Sequence, residues 1–442
     1  MIAVRAGTVP GSVAGPATYH EARCEVSDTV EFGGWRPPPR WVWAIVGVAA
    51  VAVLAGVAVG RAGPHRVAAS SRSRPPSSLT LPSRGPRTQG AAFAAPWPTA
   101  TGDCGAPVYL PQIHLAPQHA RVHGTVLVGG TALRQVILGR TGYSALPGLQ
   151  DRGLLVTKLV SGPGVDYAFV EPRCSGYLWV YRVLAGAAHR LGTTADNLLG
   201  GPRHAWAVTY RSHTVLAPLN GGRMVTLKRN TDPIADTAAG LVVLHSPDAG
   251  RASTAGLIDS NSGAPLRWAA RGYPMGATGH VVLVSLPGCQ VQVTDGARCA
   301  LRSIDLMTRR PRATFVMPAG RVPVSDAVFS PNGTTAAFQL AWTGQDPRFA
   351  TGPPFPSDVA VLHLDTGSLD IVPGLELPPG ARAGLAFDST GRWLLVTVSE
   401  GNRGELLDWR RGMPGPALVT SLPGPLMAAP PLLLTPSSWR SR

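Results

Sequence analysis

Four cysteines, a close group of histidines and a recurring aspartate are the residues of this 442-residue chain whose types and spacing could carry chemistry. Cys104, Cys174, Cys289 and Cys299 all follow residue 60, whereas Cys24 alone precedes it. An even set on one side of the chain is the distribution expected of thiols that pair in an oxidising compartment. Cys289 and Cys299 bracket QVQVTDGAR, whose Asp295-Gly296 suits a tight hairpin turn, so these two are expected to join. Cys104 with Cys174 then follows by elimination. Neither pair has the repeated C-x-x-C spacing of a zinc site.

His114, His119 and His123 form the histidine group, with His119 and His123 four apart. The helical zinc motif of that spacing needs a Glu beside its first His; here Ala120 follows His119, and Pro117 opposes a helix. His204 and His213 are nine apart and would face opposite ways on a continuous strand. No G-x-S-x-G elbow, P-loop or G-x-G-x-x-G is present, so no cofactor and no metal is expected. Asp259, Asp305, Asp365 and Asp408 each follow an apolar residue and lead a Gly- or Arg-bearing turn, which marks them as turn formers, not as acids and bases. Trp206, Trp268, Trp342, Trp393 and Trp409 are expected in packing, not as a sugar platform.

The elements that must position these residues begin with a stretch that is not part of a globular core. Trp41 to Gly60, WVWAIVGVAAVAVLAGVAVG, is twenty residues without a charge, bracketed by Arg40 and Arg61, and reads as one membrane span. Val67-Ala68-Ala69 resembles a processing site, but the apolar run exceeds the roughly 7–15 residues of a signal core, so an uncleaved anchor is expected. The cysteine split places the body outside the membrane, against a slight positive-inside count; long domains translocate despite such charge. Ala52, Gly56 and Gly60 lie along one helical face on which two spans could touch as a homodimer. Translation beginning near Val26 is a further expectation, since residues 1–25 show no periodicity.

The resulting division is a cytoplasmic segment 1–40, a transmembrane helix 41–60, a disordered Arg/Ser/Pro-rich linker 61–103, a large domain 104–425 and a tail 426–442. Net charge is +15, and Lys158 and Lys228 are the only lysines among 40 basic residues. With 52 Gly and 43 Pro, that Arg excess is the usage of a GC-rich, actinobacterial-style coding sequence. No basic run tracks a phosphate backbone, so nucleic acid is not an expected partner.

From about Val108, short runs of Val, Leu, Ile, Tyr and Trp are punctuated every eight to twelve residues by turn formers, an all-β pattern. Phe329-Ser-Pro-Asn-Gly333 and Phe387-Asp-Ser-Thr-Gly391 each precede a strand and lie 58 residues apart. The Asp-led turns recur at 46, 60 and 43 residues. Through F-S-P-N-G, F-D-S-T-G and L-D-T-G the chain resembles the β-propellers of the TolB-type and WD-repeat-like class. That resemblance implies a ring of four-stranded blades, and the spacing implies seven, with six or eight as alternatives. Blades are expected to start near residues 122, 154, 194, 236, 278, 324 and 382, with Pro107 to Leu110 sealing the ring and Cys104–Cys174 tying that seal.

The function expected is a binding or scaffolding module displayed outside the membrane for an envelope protein, peptide or wall polymer, with the insert Thr343 to Ser357 as a gripping loop. The alternative is a propeller hydrolase or lyase with an axial site. Carboxylates, His or Arg from different blades within hydrogen-bonding reach at one channel mouth would favour the enzyme; an axis of Ala, Val and Gly would remove it.

Overall fold

Seven short-stranded, mainly antiparallel sheets follow one another along the described residues, beside one separate two-stranded hairpin. The computed structural model describes residues 77–78, 99–101, 107–117, 122–139, 142–149, 154–172, 178–184, 187–246, 252–289, 299–342, 356–378, 381–400, 403–423 and 432–434. The span 41–60, Cys104, Cys174, His119 and residues 343–355 of the insert lie outside them. Among the described residues no helix occurs, and none is long and apolar enough to cross a membrane.

Blade 2 is Leu154–Gly162, Val165–Pro172, Trp179–Leu184 and Ala187–Thr194, paired in that order. Blades 3 and 4 repeat the arrangement from Asn197 and Thr231, blade 7 from Gly384, and blade 5 from Tyr273 with Ser77–Ser78 added parallel to its outer strand Arg310–Val316. In blade 6 the first strand is broken into Arg321–Pro323 and Val328–Phe329, both paired with Thr335–Trp342. The innermost strands of blades 2 to 7 touch in succession, and Leu432–Leu434 completes the circle between those of blades 7 and 2. The chain is a seven-bladed propeller.

Its sealing strand differs from the one expected. Leu432–Leu434 pairs antiparallel with Gly124–Val128 and is the innermost strand of blade 1, whose others are Arg134–Leu138 and Tyr143–Ala145. Pro107–Tyr109 instead pairs with Thr99–Thr101 as a separate hairpin, and Gln112–Ile113 joins the outer edge of blade 6. The apolar Leu432-Leu-Leu run has the inner-strand character that Pro107-Val-Tyr lacks: three residues free of Pro can complete a ladder, whereas Pro107 has no N–H to give. Two side-chain bonds lock the same seam. Val122 N donates to Asp408 Oδ2 (3.3 Å), and Arg134 Nη2 donates to the Pro423 carbonyl (2.9 Å), both linking blade 1 to blade 7.

Each blade lies between two others, so its central strands are covered on both faces. That is why they read as unbroken apolar runs: Val281–Ser285, VVLVS, is buried throughout. Outer strands are buried only at separated positions, as in Leu369–Leu377, where Leu369, Val372, Leu375 and Leu377 are buried. The core is seven clusters, one at each blade junction. Leu127 and Leu133 pack with Val156, Val170 and Val183 between blades 1 and 2; Val126 and Val136 pack with Leu395 and Leu406 between 7 and 1. Trp206 fills the junction of blades 3 and 4, Trp268 that of 4 and 5, and Trp409 that of 6 and 7. Trp342 departs from the packing role: it is 38 % exposed, with the Arg321 guanidinium 3.6 Å from its ring centroid and Asp358 paired to that Arg at 2.6 Å.

Cys289 and Cys299 are joined by a disulfide with Cα atoms 4.4 Å apart, at the blade 5 turn between Val281–Ser285 and Ala300–Asp305. Both sulfurs sit in the junction core with Met275, Phe315 and Met317. Replacing both cysteines by serine is expected to lower stability by about 2–3 kcal/mol through loop entropy, read as a lower midpoint of thermal unfolding than the oxidised protein shows. A midpoint equal to that of the oxidised protein would refute the assignment of a stabilising role.

Candidate functional site

The turn aspartates divide into two roles. Asp259 Oδ1 accepts from the Asn261 and Ser262 amides (3.0 and 2.8 Å), and Gly263 beyond it takes φ +72°. Asp305 Oδ1 accepts from Met307 and Thr308 (both 2.9 Å), and Asp365 Oδ1 from Thr366 (2.9 Å). The Thr308 amide, Arg312 and the Met307 amide hold the Asp305 carboxyl down at about 2, against the opposing effect of burial. Asp408 is the exception. It is fully buried and accepts from Val122 of the next blade, because its place beside Trp409 faces the sealing junction and not a solvated turn.

The F-S-P-N-G and F-D-S-T-G motifs do one job with different atoms. Asp388 Oδ1 accepts from the Arg392 and Trp393 amides (2.9 and 3.0 Å), while Ser330 Oγ accepts from Thr335 N (3.0 Å). Both set the turn from an innermost strand into the second strand, with Gly333 and Gly391 at φ +68° and +70°.

The histidines do not converge. His204 packs at a tilt against Trp206 (centroids 4.7 Å apart, planes at 55°) and meets Asn261 at 3.3 Å, at the opposite end of the Trp206–Tyr210 strand from His213. His114 sits at the outer edge of blade 6, its amide donating to the Gly374 carbonyl (2.7 Å), and His123 lies against Gly139. Among the described residues no three His, Cys, Asp or Glu side chains are grouped as a metal site.

Polar groups do gather around the axis, at the end where the innermost strands begin. Lys158 reaches it because the first strand of blade 2 bulges between Val156 and Lys158: Leu155 and Val156 stay in the core, and the extra residue turns Lys158 out of it. Its Nζ donates to Asn197 Oδ1 of blade 3 (2.8 Å), and Asn197 Nδ2 donates to Tyr210 Oη (3.4 Å). Asp196 Oδ2 accepts from the Tyr210 amide at 2.6 Å. Burial pushes the Lys158 ammonium below its usual range, partly offset by Asp326. Burial also pushes the Tyr273 and Tyr210 phenols up. Asp326, Asp232, Tyr210 and Arg382 all act on Tyr273 electrostatically, so groups of blades 6, 4, 3 and 7 lie within electrostatic range of blade 5, and Asp326 and Arg382 line one cavity with it.

Blades 5 and 6 are laced together beside this space. Ala327 N donates to the Met275 carbonyl (2.7 Å), and a Cβ on Gly276 would meet the Ala327 carbonyl at 2.4 Å, so only glycine admits the approach. The break in the blade 6 first strand then leaves Asp326 exposed beside Tyr273. Buried Gln339 donates from Nε2 to the Ala381 carbonyl (3.0 Å), fixing the turn that carries Arg382. Between the two blades opens a cavity of about 610 Å³, lined by Tyr273, Met275, Leu286, Val324, Asp326 and Arg382 among others. Among the described residues, neither the Asp326 carboxylate nor the Arg382 guanidinium has a hydrogen-bond or ion-pair partner. A smaller cavity of about 230 Å³ lies at the other end of the same two blades, against His280, Ser303, Arg312 and Asp365.

The axis is thus neither the Ala, Val and Gly lining that would remove an enzyme nor a set of acids and bases in mutual contact. Lys158 and Asn197 make a side-chain hydrogen bond between blades 2 and 3 there. None of Lys158, Asp232, Tyr273, Asp326 or Arg382 stands in a local motif, and sequence reasoning missed them as a group. The one local signal was Lys158, one of two lysines, in the otherwise apolar strand LLVTKLV.

No protein-family profile matches the chain, and no curated protein matches it. Among solved structures it is similar to TolB from Acinetobacter baumannii (11 % identity, TM-score 0.38, 70 % of this chain and 66 % of that one). It is also similar to prolyl oligopeptidase B from Galerina marginata (10 %, 0.40, 67 % and 48 %) and to a putative 6-phosphogluconolactonase from Bacteroides fragilis (11 %, 0.40, 71 % and 98 %). The chain thus spans just under two thirds of that TolB and about half of that oligopeptidase. These likenesses say nothing of activity. By its own sheet order the chain is a seven-bladed β-propeller, similar to TolB.

Proposed function

We propose that this protein is held in the membrane by the span 41–60, displays its propeller outside, and acts as a binding module that takes an envelope protein, peptide or wall polymer at the axial mouth. What supports a mouth-centred binding role is that charges of opposite sign from blades 2, 4, 6 and 7 (Lys158, Asp232, Asp326 and Arg382) lie within electrostatic range of Asp326 or of Tyr273, while Asp326 and Arg382 have no hydrogen-bond or ion-pair partner among the described residues. Charges left apart in this way are solvated until a ligand of complementary charge matches them, whereas acid–base catalysis asks for groups within hydrogen-bond reach of one reacting centre.

The test is crosslinked affinity capture from membranes using the full chain and an Asp232→Asn/Asp326→Asn variant. The parent is expected to retain a reproducible partner, and the variant to recover it at least tenfold less while unfolding at the same temperature. Equal recovery by the variant would place the partner elsewhere and sink the reading. Digestion of intact cells by an added protease checks display: the propeller is expected to be cut from outside, and full protection would refute it.

A further inference from the structure

The cavity between blades 5 and 6 carries two opposite charges and an apolar wall, and that combination specifies a ligand. Asp326 and Arg382 both line it, yet they do not pair with each other, although each acts on Tyr273. Met275, which is 2 % exposed, Leu286, Pro287, Pro323 and Val324 supply its apolar surface. Ser253 and Ser285 add hydroxyls, and the Tyr273 ring, 45 % exposed, stands at its edge. The volume of about 610 Å³ lies within the range of small-molecule sites, roughly 300–1,000 Å³.

A purely anionic ligand would satisfy Arg382 but face Asp326, and a purely cationic one the reverse. A neutral apolar ligand would bury both charges without a partner, which is costly. A ligand bearing both charges avoids each penalty. We propose that this cavity binds a short zwitterionic peptide, a di- or tripeptide with apolar side chains, whose ammonium meets Asp326, whose carboxylate meets Arg382, and whose side chains lie against Met275, Leu286 and Val324. The inference deepens the binding role above and rests on it. The Tyr273 phenol, a protonated donor at neutral pH, lines the same cavity as Arg382.

The experiment is calorimetric titration of the full chain in detergent with Leu-Leu, N-acetyl-Leu-Leu and Leu-Leu-amide, against the parent, Asp326→Asn and Arg382→Gln. Each charge-assisted contact is expected to be worth at least tenfold in Kd. Asp326→Asn should therefore weaken Leu-Leu at least tenfold and leave the acetylated peptide, which has no ammonium, unchanged. Arg382→Gln should do the same for Leu-Leu and spare the amide. Because both residues are exposed, the variants should unfold with the parent.

No heat with Leu-Leu at millimolar concentration, or an Asp326→Asn that weakens all three peptides alike, overturns the proposal. The readout is separate from membrane capture. No Leu-Leu binding by the parent, with capture still weakened by the mouth variants, rejects the peptide site alone; Leu-Leu binding by the parent, with capture indifferent to the mouth variants, rejects the partner reading alone.

Discussion

Truncation after Pro430 is expected to destabilise the whole ring by roughly 4–6 kcal/mol, although it removes only one three-residue strand of the propeller. The register Leu432↔Val128, Leu433↔Leu127, Leu434↔Val126 supplies about three net hydrogen bonds at ~1 kcal/mol each, and the remainder is apolar burial. Val126, Leu127 and Val128 are fully buried beside it. Losing the strand also separates the innermost strands of blades 7 and 2 from their common neighbour. Denaturant unfolding measures the loss, and hydrogen exchange locates it: protection at Gly124–Val128 should fall before that of blades 3 to 5. A truncated chain with parental stability would show that the ring is sealed by something other than this strand.

The second large effect is expected at Asp236, at the far end of the channel. Its carboxylate is 5 % exposed and accepts from Ser260 Oγ (2.9 Å), the His204 amide (3.1 Å) and Trp206 Nε1 (3.4 Å), joining blade 3 to blade 4. Asp236→Ala leaves these three donors without an acceptor, at about 1–3 kcal/mol each for the two buried ones and less for the part-buried His204 amide, for a loss of at least about 3 kcal/mol. Asp236→Asn keeps the shape and one oxygen and should cost less than half as much. Equal losses for the two variants would mean that packing, not hydrogen bonding, sets the role. Gly201 belongs to the same device: its amide donates to the Ser161 carbonyl of blade 2 (3.0 Å), and a Cβ on it would lie 2.4 Å from that of Asp236.

The repeat was legible because its turn chemistry is local. Phe329 to Gly333 and Phe387 to Gly391 each place a capping side chain and a left-handed glycine within five residues, and such units announce a blade without any tertiary information. Blade starts followed in part: the first strand of blade 2 begins at Leu154 as expected, those of blades 3, 6 and 7 lie within three residues of expectation, and those of blades 4 and 5 begin five residues early, at Thr231 and Tyr273. Closure was not legible, because Leu432-Leu-Leu follows Pro430-Pro431 in a segment with no periodicity, and its partner is at the other end of the domain. Asp408 was misjudged for a related reason. Its L-D-W-R-R-G setting copies a turn, and only the ring brings Val122 to it. The mouth residues were hidden most completely, since Lys158, Asp232, Tyr273, Asp326 and Arg382 sit one to a blade and come into electrostatic range only through the circle.

The position of the sealing strand also sets an order of events during synthesis. Leu127 leaves the ribosome long before Leu433, and at about 5–20 residues per second it waits on the order of 15–60 s for its mate. Throughout that interval blade 1 presents a bare apolar edge to any other nascent copy. Polysome crowding, more than the stability of the finished circle, is therefore where this architecture is most open to mispairing, and a slower initiation rate is the cellular variable that should relieve it.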